Sequence, residues 1–175
     1  THKAEEANLP YSNGFEGGSL DSMYESGTNS ECKIVDSNDG HGKVYQLHGD
    51  GGAPKLEYNL GGITTGKIKI EADIKTGENT LATLLQLNDN ALPNLIQFGN
   101  KDTHDGIWFG WDSAKYADTR LANAWYHLNA TLNLDTGLMD SFITDPNGKV
   151  YSLTKYKYAD PNTKLDTVCF RTWDT

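Results

Sequence analysis

Apolar and polar residues alternate along most of the chain from Lys43 onward. In Lys67-Ile-Lys-Ile-Glu-Ala-Asp-Ile-Lys75, the side chains of Ile68, Ile70, Ala72 and Ile74 fall on one side and the charged ones on the other. That period of two is the signature of a strand with one buried face. The run from Trp125 to Leu134 repeats it, with Tyr126, Leu128, Ala130, Leu132 and Leu134 inward. The same reading predicts strands at Lys43–His48, Lys55–Asn59, Leu81–Asn88, Leu95–Gly99, Ile107–Trp111, Leu138–Thr144, Lys149–Leu153 and Thr167–Trp173, about ten in all. Two turn signals, Asp135-Thr-Gly137 and Asp145-Pro-Asn-Gly148, link three of them into a meander. No helical period of useful length and no fixed repeat occurs, which excludes solenoids, propellers and coiled coils. The expected fold is all-β, a two-sheet antiparallel sandwich. Residues 1–10 are polar without a period and read as a flexible segment; 11–175 read as one domain.

Composition narrows the class. Hydrophobic residues make up only 37%, but 4 Trp, 9 Tyr and 5 Phe supply large apolar areas suited to pleated strands. A net charge of -9 opposes nucleic-acid backbones and anionic membranes, which attract clustered Lys and Arg. No apolar run approaches the roughly 20 residues of a membrane span. Thr1 opens the chain with no apolar leader, as a mature fragment of a secreted protein would. The two cysteines, Cys32 and Cys169, either close a long disulfide loop or remain two buried thiols.

Two regions carry a resemblance. Trp125-Tyr-His-Leu, then Leu132-Asn-Leu-Asp-Thr-Gly137, then Phe142-Ile-Thr-Asp-Pro-Asn-Gly148 resemble the hairpins of concanavalin-like and laminin-G-like jelly rolls. Asn13-Gly-Phe-Glu-Gly-Gly-Ser-Leu-Asp21 is similar to the opening of many bacterial carbohydrate-binding jelly rolls. The resemblance implies a jelly roll attached to a secreted glycan-active enzyme, holding polysaccharide on a concave sheet or edge loops, with a structural calcium. Calcium takes carboxylate and carbonyl oxygens. Carried over residue by residue, its ligands are Glu16, Asp174 and, from the run Asp36-Ser-Asn-Asp39, Asp39.

Sugar recognition needs an aromatic platform and planar polar groups. If Ile96, Phe98, Ile107 and Phe109 face the core, Gln97 and Trp108 stand opposite them. Alternation through Leu81–Asn88 turns Gln86 and Asn88 outward, and the last strand adds Arg171. Trp111, with His104, Tyr116 and Arg120, lies in or beside a long loop placed to wall that face. The expected binding set is therefore Gln86, Asn88, Gln97, Trp108, Trp111 and Arg171, in a monomeric, non-catalytic module.

The sequence shows no recognisable catalytic pattern. Sandwich hydrolases set two carboxylates on one strand face; Glu71-Ala-Asp73 offers the first half, but Lys75 and Thr76 occupy the stretch where the second Glu belongs. Nucleophile elbows and His-x-x-x-His pairs do not occur. Two other expectations stay open: a sandwich-fold lyase or hydrolase with an unrecognised site, and an adhesion module that binds protein through an exposed apolar patch.

Overall fold

The computed structural model describes residues 11–26, 31–48, 53–78, 81–88, 92, 95–99, 106–109 and 114–173. These form thirteen strands: β1 (Met23–Ser26), β2 (Lys33–Asp36), β3 (Lys43–Gln46), β4 (Lys55–Ile63), β5 (Lys67–Lys75), β6 (Leu81–Leu87), β7 (Ile96–Phe98), β8 (Ile107–Phe109), β9 (Ala114–Ala117), β10 (Trp125–Asn133), β11 (Leu138–Thr144), β12 (Val150–Lys157) and β13 (Leu165–Trp173). All ten expected strands are present. The additional ones, β1, β2 and β9, have four residues each, too few to show a period.

Two antiparallel sheets stack face to face. One runs β1-β4-β13-β6-β7-β8-β9, the other β12-β11-β10-β5, and β2-β3 forms a separate hairpin. The alternation of β10 is why it lies in a sandwich: Tyr126, Leu128, Ala130, Leu132 and Leu134 are all buried, and they meet the inward face of the seven-stranded sheet. Phe98 touches Tyr126 edge-on at 4.9 Å between centroids, and Phe109 meets Tyr156 at 4.0 Å. Each such side chain contributes about 1.5–3 kcal/mol by leaving water. The meander is β10-β11-β12, in regular register apart from a shift between Met139 and Ser141. There Lys155, at φ 54°, donates its backbone N–H to Asp140 Oδ1 at 2.8 Å, a bulge that interrupts the exposed edge strand.

The outer face of the four-stranded sheet carries polar pairs: Lys69 with Glu71 at 2.7 Å and His127 Nδ1 with Asp73 at 2.7 Å. Glu71 and Asp73 thus belong to a solvated face. Both cysteines are free thiols. Cys32 precedes β2, whereas Cys169 lies buried on β13, its thiol donating to Gln86 Oε1 at 3.3 Å. The first and last strands also do not touch, because β4 separates them.

Candidate functional site

Register places one residue from every strand of the seven-stranded sheet in a single row on its outer face. The pairs run Ser26 with Lys55, Lys55 with Arg171, Arg171 with Thr83, Thr83 with Gln97, Gln97 with Trp108, and Trp108 with Lys115. Cross-strand partners share a face about 5 Å apart, so this row is continuous. A second row, Tyr24, Glu57, Cys169 and Gln86, lies beside it. The expected gathering of Gln86, Gln97, Trp108 and Arg171 on one face is what the register shows.

Their accessibility differs from expectation. Gln86, Gln97 and Thr83 are each 0% exposed, whereas Trp108 and Arg171 are half-buried. The three buried polar groups form the floor of the face, flanked by the half-buried Trp108 and Arg171. Gln97 Nε2 reaches Thr83 Oγ1 at 3.5 Å, a long contact, while Gln97 Oε1 has no donor among the described residues. Leaving a buried acceptor without a donor costs about 1–3 kcal/mol. Trp108 is set by its neighbours: the ammonium of Lys115 lies 5.2 Å from its ring centroid, and its Nε1 lies 3.2 Å from where a Cβ on Gly106 would stand. Lys115 also pairs with Asp118 at 2.7 Å and holds that carboxylate below its usual range.

Asn88 does not belong to the site. At φ 52° it leaves the strand, and its side chain clasps the approach to β13, donating to Lys164 O at 2.8 Å and accepting from Asp166 N–H at 2.7 Å. Arg120 is likewise structural, buried against Thr76 Oγ1 at 2.6 Å and Gly77 O at 3.0 Å. Tyr116 packs inward on β9, edge-on to Phe109, and burial pushes its phenol up to about 12. Trp111, His104 and Asp174 lie outside the described residues.

Two of the candidate calcium ligands, Glu16 and Asp39, are described, and each is already engaged by donors. Glu16 Oε1 accepts the backbone N–H of Lys43 at 2.9 Å. Asp39 instead anchors the β2-β3 hairpin to the four-stranded sheet. It accepts the Trp125 indole N–H at 2.6 Å and the Lys75 ammonium at 3.3 Å, beside His41, whose ring stacks on Trp125 at 4.1 Å. Trp125 is thus a structural residue, as its strand suggests, but on the outer face. Donors already surround Asp39, the reverse of what a cation requires. Among the described residues no group of three or more His, Cys, Asp or Glu is placed to hold a metal ion.

The indole hydrogen bond, with Lys75, holds the Asp39 carboxyl well below the usual range. A depressed folded-state pKa adds stability that is complete above the ordinary carboxylate pKa and is lost as pH falls below it. Asp39→Ala is therefore expected to flatten the acid limb of the stability curve and to shift Trp125 emission to the red. Thermal melts between neutral pH and pH 3, with fluorescence, check this.

Glu57 and Thr83 were missed from sequence. Glu57 is 6% exposed and accepts the Ser26 hydroxyl at 2.5 Å. Its signal was present in Lys55-Leu-Glu-Tyr-Asn59, where the alternation puts Lys55, Glu57 and Asn59 opposite the core.

No family model and no characterised protein sequence is similar to this chain. Solved structures are. A seed lectin isoform of Lotus tetragonolobus superposes at a TM-score of 0.50 with 12% identity, covering 87% of this chain and 86% of the lectin. The metal-free form of lectin I-B4 from Griffonia simplicifolia gives 0.43 and 11%, covering 87% and 91%. With the first of these likenesses added to the sheet order and register, the chain is a concanavalin A-like β-sandwich.

Proposed function

We propose that this chain is a non-catalytic carbohydrate-binding module that keeps a secreted glycan-active protein near polysaccharide through the outer face of its seven-stranded sheet. The observation that carries the reading is Gln97, a fully buried amide whose Oε1 has no donor among the described residues, beside the half-buried Trp108. A sugar hydroxyl supplies the missing donor, and an indole supplies the apolar platform. The lectin-like fold supports the same reading. Weak affinity suffices, since tethering raises effective concentration.

In affinity electrophoresis against a panel of polysaccharides, the chain is expected to be retarded by at least one, and Trp108→Ala to weaken that binding about tenfold, the loss of one stacking anchor. Retardation by none, or an unchanged Trp108→Ala, removes the assignment. An enzymatic reading has one feature in its favour, the buried Glu57 carboxylate on this face. New reducing ends or unsaturated products that disappear in Glu57→Gln would replace the binding-only reading.

A further inference from the structure

The four-stranded sheet carries a motif that the site at Gln97 does not use. Asn129-Ala-Thr131 has the Asn-x-Thr pattern of an N-glycan acceptor, with no proline between, and it occurs once in the chain. Such a tripeptide belongs on an accessible surface, whereas β10 is a central strand. The pleat reconciles the two. Ala130 is fully buried, so Asn129 and Thr131 both stand on the outer face, half-buried, with the hydroxyl on the same side as the amide. Neither side chain has a hydrogen bond or ion pair among the described residues. Toward β5, Asn129 pairs in register with Glu71, whose carboxylate is taken up by Lys69 at 2.7 Å. Toward β11 its partner is Phe142, 39% exposed and the most exposed aromatic ring among the described residues. Leu138 and Val150, also exposed, extend the apolar strip on this face. The β2-β3 hairpin reaches the same face through Asp39, but at Trp125 and Lys75, at the start of β10.

We propose that Asn129 is the acceptor of an N-linked glycan whose first sugar lies on the Phe142 ring; this rests on the secreted reading of the chain and is independent of the site at Gln97. In the transfer, the Asn129 amide nitrogen bonds to the anomeric carbon of an oligosaccharide carried on a lipid diphosphate. The sugar-phosphate bond breaks, the lipid diphosphate leaves with the bonding electrons, and the amide nitrogen gives up one proton. Thr131 supplies the hydroxyl that the transferase reads. Once the chain is folded, cross-strand partners stand about 5 Å apart, which brings a sugar on Asn129 over Phe142. An aromatic face packs on the C–H surface of a pyranose, so the glycan covers apolar area that the protein alone leaves in water. Trp108 and Gln97 belong to the other sheet, and attached and bound sugars therefore do not compete.

Secretion of the chain from a eukaryotic host, behind a heterologous leader, tests this. Mass spectrometry of the peptide that holds Asn129 is expected to show a glycan there, and none in Asn129→Gln or Thr131→Ala. Releasing the glycan with an amidase is expected to lower the melting temperature by about 2–4 °C, the worth of one aromatic contact. That shift is expected to vanish in Phe142→Ala and to survive in Phe142→Tyr, which keeps the ring; Phe142→Leu replaces Phe142→Ala if the latter is not secreted. Each shift is read within one variant, so the effect of the substitution itself cancels, as does that of the aspartate the amidase leaves at this position. Affinity electrophoresis on polysaccharide is expected to give the same retardation with and without the glycan. An unmodified Asn129, no shift on release, or a shift that persists in the variant without the ring overturns the proposal. Retardation that appears only after release also overturns it, because the polysaccharide then needs this face. Retardation of neither form removes the carbohydrate-binding reading and leaves the assignment of Asn129 standing.

Discussion

Gly137→Ala is expected to cost roughly 3 kcal/mol or more and to lower the melting temperature by about 6–12 °C, whereas Gly148→Ala costs only about 1 kcal/mol. The two glycines close successive turns of the same meander, and both have left-handed backbones, at φ 72° and 85°. An alanine at either position therefore bears the left-handed strain. Only at Gly137 does the new methyl meet backbone: its Cβ would stand 2.1 Å from the Ala159 carbonyl oxygen, while nothing lies within 4 Å at Gly148. The approach is fixed, since Tyr158 donates its N–H to Gly137 O at 3.0 Å and Gly137 donates to Asn133 O at 2.8 Å. Chemical and thermal denaturation of the pair isolates the steric part. Equal losses would mean that residues 158–160 give way without resistance.

Gln97→Met is expected to move stability and affinity in opposite directions. Methionine nearly matches glutamine in shape, so the substitution replaces an incompletely satisfied buried amide with an apolar side chain and raises stability by about 1 kcal/mol. If the amide oxygen accepts from a bound sugar, the same change weakens binding about thirtyfold, from loss of a desolvated hydrogen bond with its partner left buried. Denaturation midpoints and affinity electrophoresis on one preparation read both. A variant less stable than wild type shows the amide to be structural. A stabilised variant with unchanged affinity removes Gln97 from the site.

How far the sequence foretells these features depends on the length of the pattern. β5 and β10 have nine residues each, enough turns of the pleat for alternation to fix their faces. β7 and β8 are shorter but carry large apolar residues at Ile96, Phe98, Ile107 and Phe109, which place Gln97 and Trp108 opposite. β6 misleads. Counting by twos outward from Gln86 also turns Ala82 and Leu84 outward, but Ala82 pairs with Phe98 and lies inside. Thr83 and Gln86 both reach the outer face because the register slips between them, where Leu85 takes φ 82°. A bulge of this kind leaves no mark in the hydrophobic pattern, since all seven residues of β6 are buried. Asn88 and Asp39 were misread for another reason. Their partners lie 36 to 86 positions away, and a side chain that staples distant segments resembles a ligand-binding one until the chain is folded.

The order of strands also sets a schedule for assembly. β4 ends at Ile63, β6 begins at Leu81, and the strand that sits between them, β13, begins only at Leu165. During synthesis each has one edge without its native neighbour while the intervening sequence is made. Long-range closure of this kind makes folding slow, and unpaired edges are the surfaces through which incomplete chains stick to one another. Arg171 and Cys169 arrive with β13, so the polar face is completed in the same step that joins β4 to β6.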